Sequence, residues 1–222
     1  SKYETINLLG YPLNDGYPYK PMKKHLLEYF SNEMGIAPKV YSLGLKLDGL
    51  GIDTPYATLH TKAGWSHYKE WPQENWEELI KLLPNINFIQ LGSFDDPKIP
   101  GANHSFMGRP LMDSIRLISN ATIHVGIDSF SNHVTNVTNT PAVILWGSTQ
   151  PSAAGYAQNT NIHLNLMCQP CFKENPSMTL HPLGPCDNPP GQVYEEPNHA
   201  CMKNIKVETV AKAVKTLWNQ VL

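Results

Sequence analysis

Asp128 and Ser129 stand between an apolar run, Thr122–Ile127, and a stretch of helical spacing that ends near Asn139. A strand feeding a helix through such a pair leaves the first amide N–H groups of the helix pointing out of a sheet edge. The helix end also carries roughly half a positive charge. That combination binds phosphate. The same pair also serves as a plain N-cap in many α/β proteins, so the two residues alone leave both readings open. His133, one turn further on, either faces the same ligand or packs. Lys62 and Lys69 follow another short strand, Tyr56–His60, and would bring ammonium groups to the same pocket; singly, each also reads as a solvated loop lysine. Gly147-Ser148-Thr149-Gln150-Pro151 adds hydroxyls at the end of a second strand, Ala142–Trp146.

The second set of reactive residues is Cys168-x2-Cys171-x14-Cys186-x14-Cys201. Four thiolates with a C-x-x-C pair have the ligand count of a tetrahedral metal site, with zinc the default ion. Two disulfides, or a redox-active pair, are the competing readings. Nothing in the chain points to secretion, and a reducing cytosol disfavours disulfides, so a metal is expected. Its role would be structural, pinning a proline-rich insert with few apolar residues of its own.

These residues need elements to hold them. Strand, helix and parallel strand, with Thr140-Pro141 stopping the helix, place Asp128, Ser129 and the Gly147 loop at one carboxyl edge, where open α/β sheets bind ligands. Around that unit, Pro21 opens a predicted helix over Met22–Met34 with Leu26, Leu27, Phe30 and Met34 on one face; Gly35 ends it. Glu74–Leu83 is an amphipathic helix with Trp76, Leu79, Ile80 and Leu83 inward. Asn87–Leu91 is a buried strand closed by Gly92, Leu111–Ser119 a helix, and Asn161–Leu166 a further strand. Val207–Leu222 is a final helix with Val210, Val214, Leu217 and Val221 in register. The alternation predicts an α/β fold with a doubly wound, largely parallel, Rossmann-like sheet. Residues 1–50 read as an arm and connecting helix. Residues 51–222 read as the sheet domain, with a Cys-rich insert at 167–204.

Of 222 residues, 41% are apolar and 16% charged, enough for a sizeable core; the net charge of −2 gives no basic face for nucleic acid. No apolar run approaches a membrane span and no signal peptide opens the chain, so a cytoplasmic protein is expected, with peripheral attachment at the inner membrane as the second location. Sequons at Asn103, Asn120 and Asn136 are read as chance. The first residue is Ser1, mid-pattern, which suggests a piece of a longer protein.

Lys69-Glu70-Trp71-Pro72, followed by a Trp/Leu helix, resembles the K-x-W-P signature of the family-9 glycosyltransferases, the heptosyltransferase group. Asp128-Ser129-Phe130-Ser131-Asn132-His133 is similar to that family's Asp-Ser/Thr-Gly-Pro-Met-His segment. Thr140 to Pro151 is similar to its T-P-V-V-A-L-F-G-P-T-D-P strand and loop. Order and spacing agree over about residues 56–166.

The resemblance implies the C-terminal half of a GT-B enzyme, the donor-binding domain, with the N-terminal half of the same enzyme expected as its partner. That absent half would supply the acceptor site and the catalytic base, leaving no catalytic residue in this chain. Carried over by position, Lys69 meets the donor diphosphate. Asp128, Ser129, Phe130 and His133 meet phosphate and sugar, alongside Thr61 and Lys62 of the preceding loop. Asp95 (or Asp96) in the Gly92 loop meets the ribose, and Gly108 and Arg109 cradle the base. The implied donor is a nucleoside diphosphate sugar, with ADP-heptose favoured, and the acceptor a glycan or protein. The implied chemistry is inverting and metal-independent: lysine and a helix end can stabilise the leaving diphosphate, and Asp95-Asp96 lacks D-x-D spacing. Some protein-modifying members resemble the cysteine arrangement and carry iron on four cysteines, so iron competes with zinc. Phe130 and Ser131 replace the family's glycine and proline. Two alternatives follow: a non-catalytic nucleotide-binding or assembly module, or a transferase with a UDP- or GDP-sugar donor.

Overall fold

The computed structural model describes residues 24–35, 43–64, 66–166, 169–170 and 199–222. Within them, β1 (Ala57–His60), β2 (Phe88–Leu91), β3 (Ile123–Ile127), β4 (Ala142–Trp146) and β5 (Thr160–His163) form one sheet of order β2-β1-β3-β4-β5. All four pairings are parallel. Every residue of β1 to β4 is buried, as a sheet covered on both faces requires; β4 is apolar throughout, while Thr58, His60, Gln90 and His124 put buried polar groups on β1 to β3.

Strand alternation sends the two sets of side chains to two helical layers. Ala57 and Leu59, Ile123, Val125 and Ile127, and Val143 and Leu145 share a core with Trp76, Leu79 and Ile80 of α2 (Gln73–Leu82) and with Val210, Val214 and Trp218 of α7 (Val207–Val221). The opposite face lies under α3 (Leu111–Asn120) and α4 (Phe130–Thr138), with Ile89, Leu91, Leu117 and Ile118 in a smaller cluster. Beneath α4 the packing turns polar: Ser131, Asn132, Thr135 and Asn136 are buried against Thr58, His60, His124 and Asn159. Two short helices, α5 (Pro151–Ala154) and α6 (Ala200–Lys203), complete the layers around β4.

α1 (Leu26–Glu33) starts later than predicted; Pro21 and Met22 lie outside the described residues. His25 caps it, its Nδ1 accepting from the Leu27 amide at 3.2 Å, while Nε2 donates to the Gly155 carbonyl at 3.0 Å. The helix docks on α5, and Met34 lies beyond the contact, 45% exposed rather than inward. In α7 the inward row is Val210, Val214 and Trp218; Leu217 packs only partly and Val221 is 44% exposed in the last turn. β5 is shorter than Asn161–Leu166, and Asn165 just beyond it is left-handed, with φ of 54°. Asn136, read as a chance sequon, is buried. Among the described residues no helix is long and apolar enough to cross a membrane.

Candidate functional site

In the order β2-β1-β3-β4-β5 the chain leaves β1 toward one edge and β3 toward the other. The loops after these neighbouring strands diverge, and a crevice opens between them. A cavity of about 710 Å³ lies there, within the range of small-molecule sites. Its wall after β1 is His60, Lys62, Ala63, Gly64 and Glu70; after β2, Gly92, Ser93, Phe94 and Asp96. Gly108, Arg109 and Leu111 close one side, and Ser129 and Phe130 bring the start of α4 to the other.

Ser129 is the N-cap of α4 and makes no side-chain cap hydrogen bond, so the first-turn amides have no capping hydroxyl and the positive helix end faces the crevice. Asp128 is not the cap. Its carboxylate, 5% exposed, accepts from Lys69 Nζ at 2.7 Å and from Thr149 Oγ1 at 2.6 Å. Lys69, 11% exposed, therefore reaches the foot of α4 from the loop after β1 and is neutralised there.

The Gly147 loop, expected on the ligand side, faces inward. Ser148 is fully buried and Thr149 is turned to Asp128, and a Cβ on Gly147 would lie 2.2 Å from the Tyr68 carbonyl. The physical reason is the strand order: β3 and β4 run on in the same direction across the sheet, so no crevice opens between them.

Lys62 is ion-paired to Glu70. The other Glu70 oxygen accepts the Ala63 amide at 3.1 Å, so this carboxylate clamps the loop after β1. His60 and His124 lie on the polar face of the sheet. His60 Nδ1 meets Ser131 Oγ at 3.2 Å and its ring packs edge-on to Phe130 at 5.0 Å. Burial lowers its pKa to about 4 against the opposing pull of Asp96 and Glu70. Burial also takes His124 to about 3; its Nδ1 meets Thr58 Oγ1 at 2.9 Å. Both rings are neutral near pH 7. Gly126 leaves room for His124: a Cβ there would stand 2.7 Å from Nε2.

Of the residues expected to bind ligand, Lys62, Gly108, Arg109, Ser129 and Phe130 line the cavity. Lys69 and Asp128 sit together beside the α4 N-terminus. Thr61 is buried, 3% exposed, and does not line the cavity. Asp95 is exposed, and Asp96 takes the lining position, because Oδ2 of Asp96 accepts the Ser93 amide at 2.8 Å and folds back over Gly92. Gly108 has φ of 71° and donates to the Gly92 carbonyl at 2.9 Å; a Cβ would lie 2.9 Å from that of Phe94. Arg109 stacks over Phe106 at 4.8 Å. His133 is turned from the cavity: its Nδ1 meets the Tyr156 hydroxyl at 2.7 Å, and burial lowers its pKa, with Asp128 pulling the other way. Cys201 is buried in the main core cluster; Cys168, Cys171 and Cys186 lie outside the described residues.

His60, Glu70 and Phe94 were not singled out from the sequence, and Thr149, expected as a hydroxyl of the ligand loop, is instead the partner of Asp128. Glu70 had a local signal, as neighbour of Lys69 in the same motif. His60 had another: Thr58 and His60 alternate with Ala57 and Leu59, which marks a polar stripe on a buried strand.

The profile of Glycosyltransferase family 9 (heptosyltransferase) matches residues 109–181. No curated protein is similar to the chain in sequence. Among solved structures, the dodecameric iron-containing heptosyltransferase TibC, in complex with ADP-D-beta-D-heptose, superimposes with a TM-score of 0.66 at 18% identity, over 90% of this chain and 55% of that one. The family 9 glycosyl transferase of Veillonella parvula DSM 2008 gives 0.59 at 15%, over 91% and 62%. E. coli ADP-heptose lps heptosyltransferase II gives 0.54 at 18%, over 87% and 51%. The chain thus spans between half and two thirds of the length of each. The shared fold is the α/β, Rossmann-like sheet of GT-B heptosyltransferases. The chain is thus similar to the family-9 heptosyltransferases, in sequence over residues 109–181 and in fold over most of its length.

Proposed function

We propose that this chain is the donor-binding part of a glycosyltransferase, and that it takes a nucleoside diphosphate sugar, with ADP-heptose the first candidate. The observation that carries this reading is the joining of a cavity at the β1/β3 switch to the N-terminus of α4, with Lys69 and Asp128 at its foot. Two negative phosphates gain from the helix end and from exchange of Lys69 or Lys62 away from its carboxylate partner. The base would lie against Phe94, Leu111 and Arg109, an apolar and guanidinium surface, and the Asp96 carboxylate, which lines the same cavity, would meet the ribose hydroxyls. Asp128, at the foot of α4, would meet the sugar once Lys69 turns to the diphosphate. Transfer would be inverting, with diphosphate departure stabilised by Lys69 and the helix end and the base supplied from outside this chain. In this scheme residues 51–222 are one donor domain and α1 belongs to the connector. The acceptor is a glycan or protein, and the cytoplasm is the compartment where such donors are met.

The four cysteines are assigned to one structural zinc or iron ion; plasma mass spectrometry of purified protein finding neither metal would overturn that assignment. For the donor, titration calorimetry of the 222-residue chain with ADP, UDP and GDP tests the reading. Saturable 1:1 binding, strongest for ADP, is expected, with loss of at least tenfold in affinity in Lys69→Met. No binding of any of the three refutes it.

A further inference from the structure

The loop that carries Lys69 and Glu70 is held from behind by the start of the C-terminal segment. His199 Nε2 lies 2.7 Å from the Glu70 main-chain oxygen. A carbonyl only accepts, so the hydrogen sits on Nε2. The His199 ring also meets Tyr68 edge-on, with centroids 5.9 Å apart. Six residues later the Ile205 carbonyl accepts from Trp71 Nε1 at 3.2 Å, and between them Met202, fully buried, packs against Gly147. The Ser148 amide donates to the Tyr68 carbonyl at 3.2 Å. Tyr68, Glu70 and Trp71 are therefore each tied to the protein body.

The intervening side chains are aimed at the site. Lys69 reaches Asp128, while Glu70 holds Lys62 and the Ala63 amide at the cavity wall. A peptide group of Glu70 that swings moves both of these contacts, because Lys69 and Glu70 share that stretch of main chain. His199 lies outside the cavity lining. It bears on a ligand through the loop that it holds, by its bond to Glu70 and its ring contact with Tyr68.

We propose that His199 is a positioning residue for the nucleotide site: its hydrogen bond to the Glu70 carbonyl fixes the Lys69-Glu70 pair against α4 and so sets diphosphate affinity. The inference rests on the nucleotide-binding reading above and adds a residue remote from the pocket. It also makes the C-terminal segment part of the binding machinery.

The test uses the 222-residue chain, with ADP affinity by calorimetry and Tm for each variant. His199→Phe keeps an aromatic ring against Tyr68 and removes the donor; affinity should fall about fivefold to tenfold. His199→Gln restores a donor and should bind within about twofold of the parent. Where His199→Phe lowers Tm by more than about 10 °C, His199→Asn, whose amide stops short of the carbonyl, carries the same expected loss. In a Lys62→Ala background His199→Phe should add little, since both changes act on one clamp. Parent protein that binds ADP while His199→Phe binds equally well overturns the proposal and leaves the nucleotide reading intact. Equal losses in the Phe and Gln variants, or losses additive with Lys62→Ala, overturn it in favour of a purely structural histidine. Parent protein that binds no nucleotide removes both.

Discussion

Replacing Lys69 with methionine would separate the stability of the site from its chemistry. The Lys69 and Asp128 side chains are 11% and 5% exposed, and their charged atoms are 2.7 Å apart. Lys69→Met leaves a buried carboxylate with Thr149 Oγ1 as the remaining named donor, at 2.6 Å. Breaking one side of such a pair costs about 3–5 kcal/mol, a large part of the roughly 5–15 kcal/mol that holds a domain together. Removing both charges in Lys69→Met/Asp128→Leu should restore most of that loss or exceed the parent, because the desolvation cost disappears with the charges. Thr149 then loses its acceptor, which costs about 1 kcal/mol. Urea unfolding at pH 7.5 measures all three proteins. The same samples titrated with ADP should show that neither the single nor the double variant binds well, although the double one is stable. A Lys69→Met protein within about 1 kcal/mol of the parent would refute the claim that Asp128 is desolvated. A double variant with parental ADP affinity would refute the assignment of this pair to the diphosphate.

Two further predictions concern the scaffold. His60 and His124 have pKa values of about 4 and about 3 in the folded chain, against about 6.5 when unfolded. The unfolded chain therefore binds protons first as pH falls, and stability present above pH 6.5 is lost toward pH 4. At pH 5 each ring should subtract about 2 kcal/mol; urea midpoints at pH 7.5 and 5 check this, and His124→Asn should flatten the dependence. Gly147→Ala should cost at least about 1–3 kcal/mol, read by the same unfolding assay, because the new Cβ would meet the Tyr68 carbonyl at 2.2 Å.

What could be read in the sequence followed from burial. β4 was legible to the residue because both of its faces are covered, so Ala142 to Trp146 is uniformly apolar and Thr140-Pro141 marks its start. Trp76, Leu79 and Ile80 were legible because α2 has one covered face. α7 was harder: Val210, Val214, Leu217 and Trp218 all fit a helical period, and which of the last two turns inward depends on where α2 and the sheet lie. The inward turn of the Gly147 loop was not legible, since strand order decides it and local sequence does not record strand order. The roles of Asp95 and Asp96 depend on a single bond to the Ser93 amide. Lys69 and Asp128, 59 residues apart, were each legible as candidates; that each is the other's partner required the fold.

The central claim is that a nucleotide occupies the crevice between β1 and β3, with its base against Phe94 and Arg109. Photolabelling with 8-azido-ADP, followed by peptide mapping by mass spectrometry, tests it most directly. The account predicts saturable labelling, displaced by ADP, on peptides that contain Phe94 or the segment from Gly108 to Leu111. Label confined to peptides of α7 or the β4–β5 side, or labelling that ADP does not displace, would contradict it.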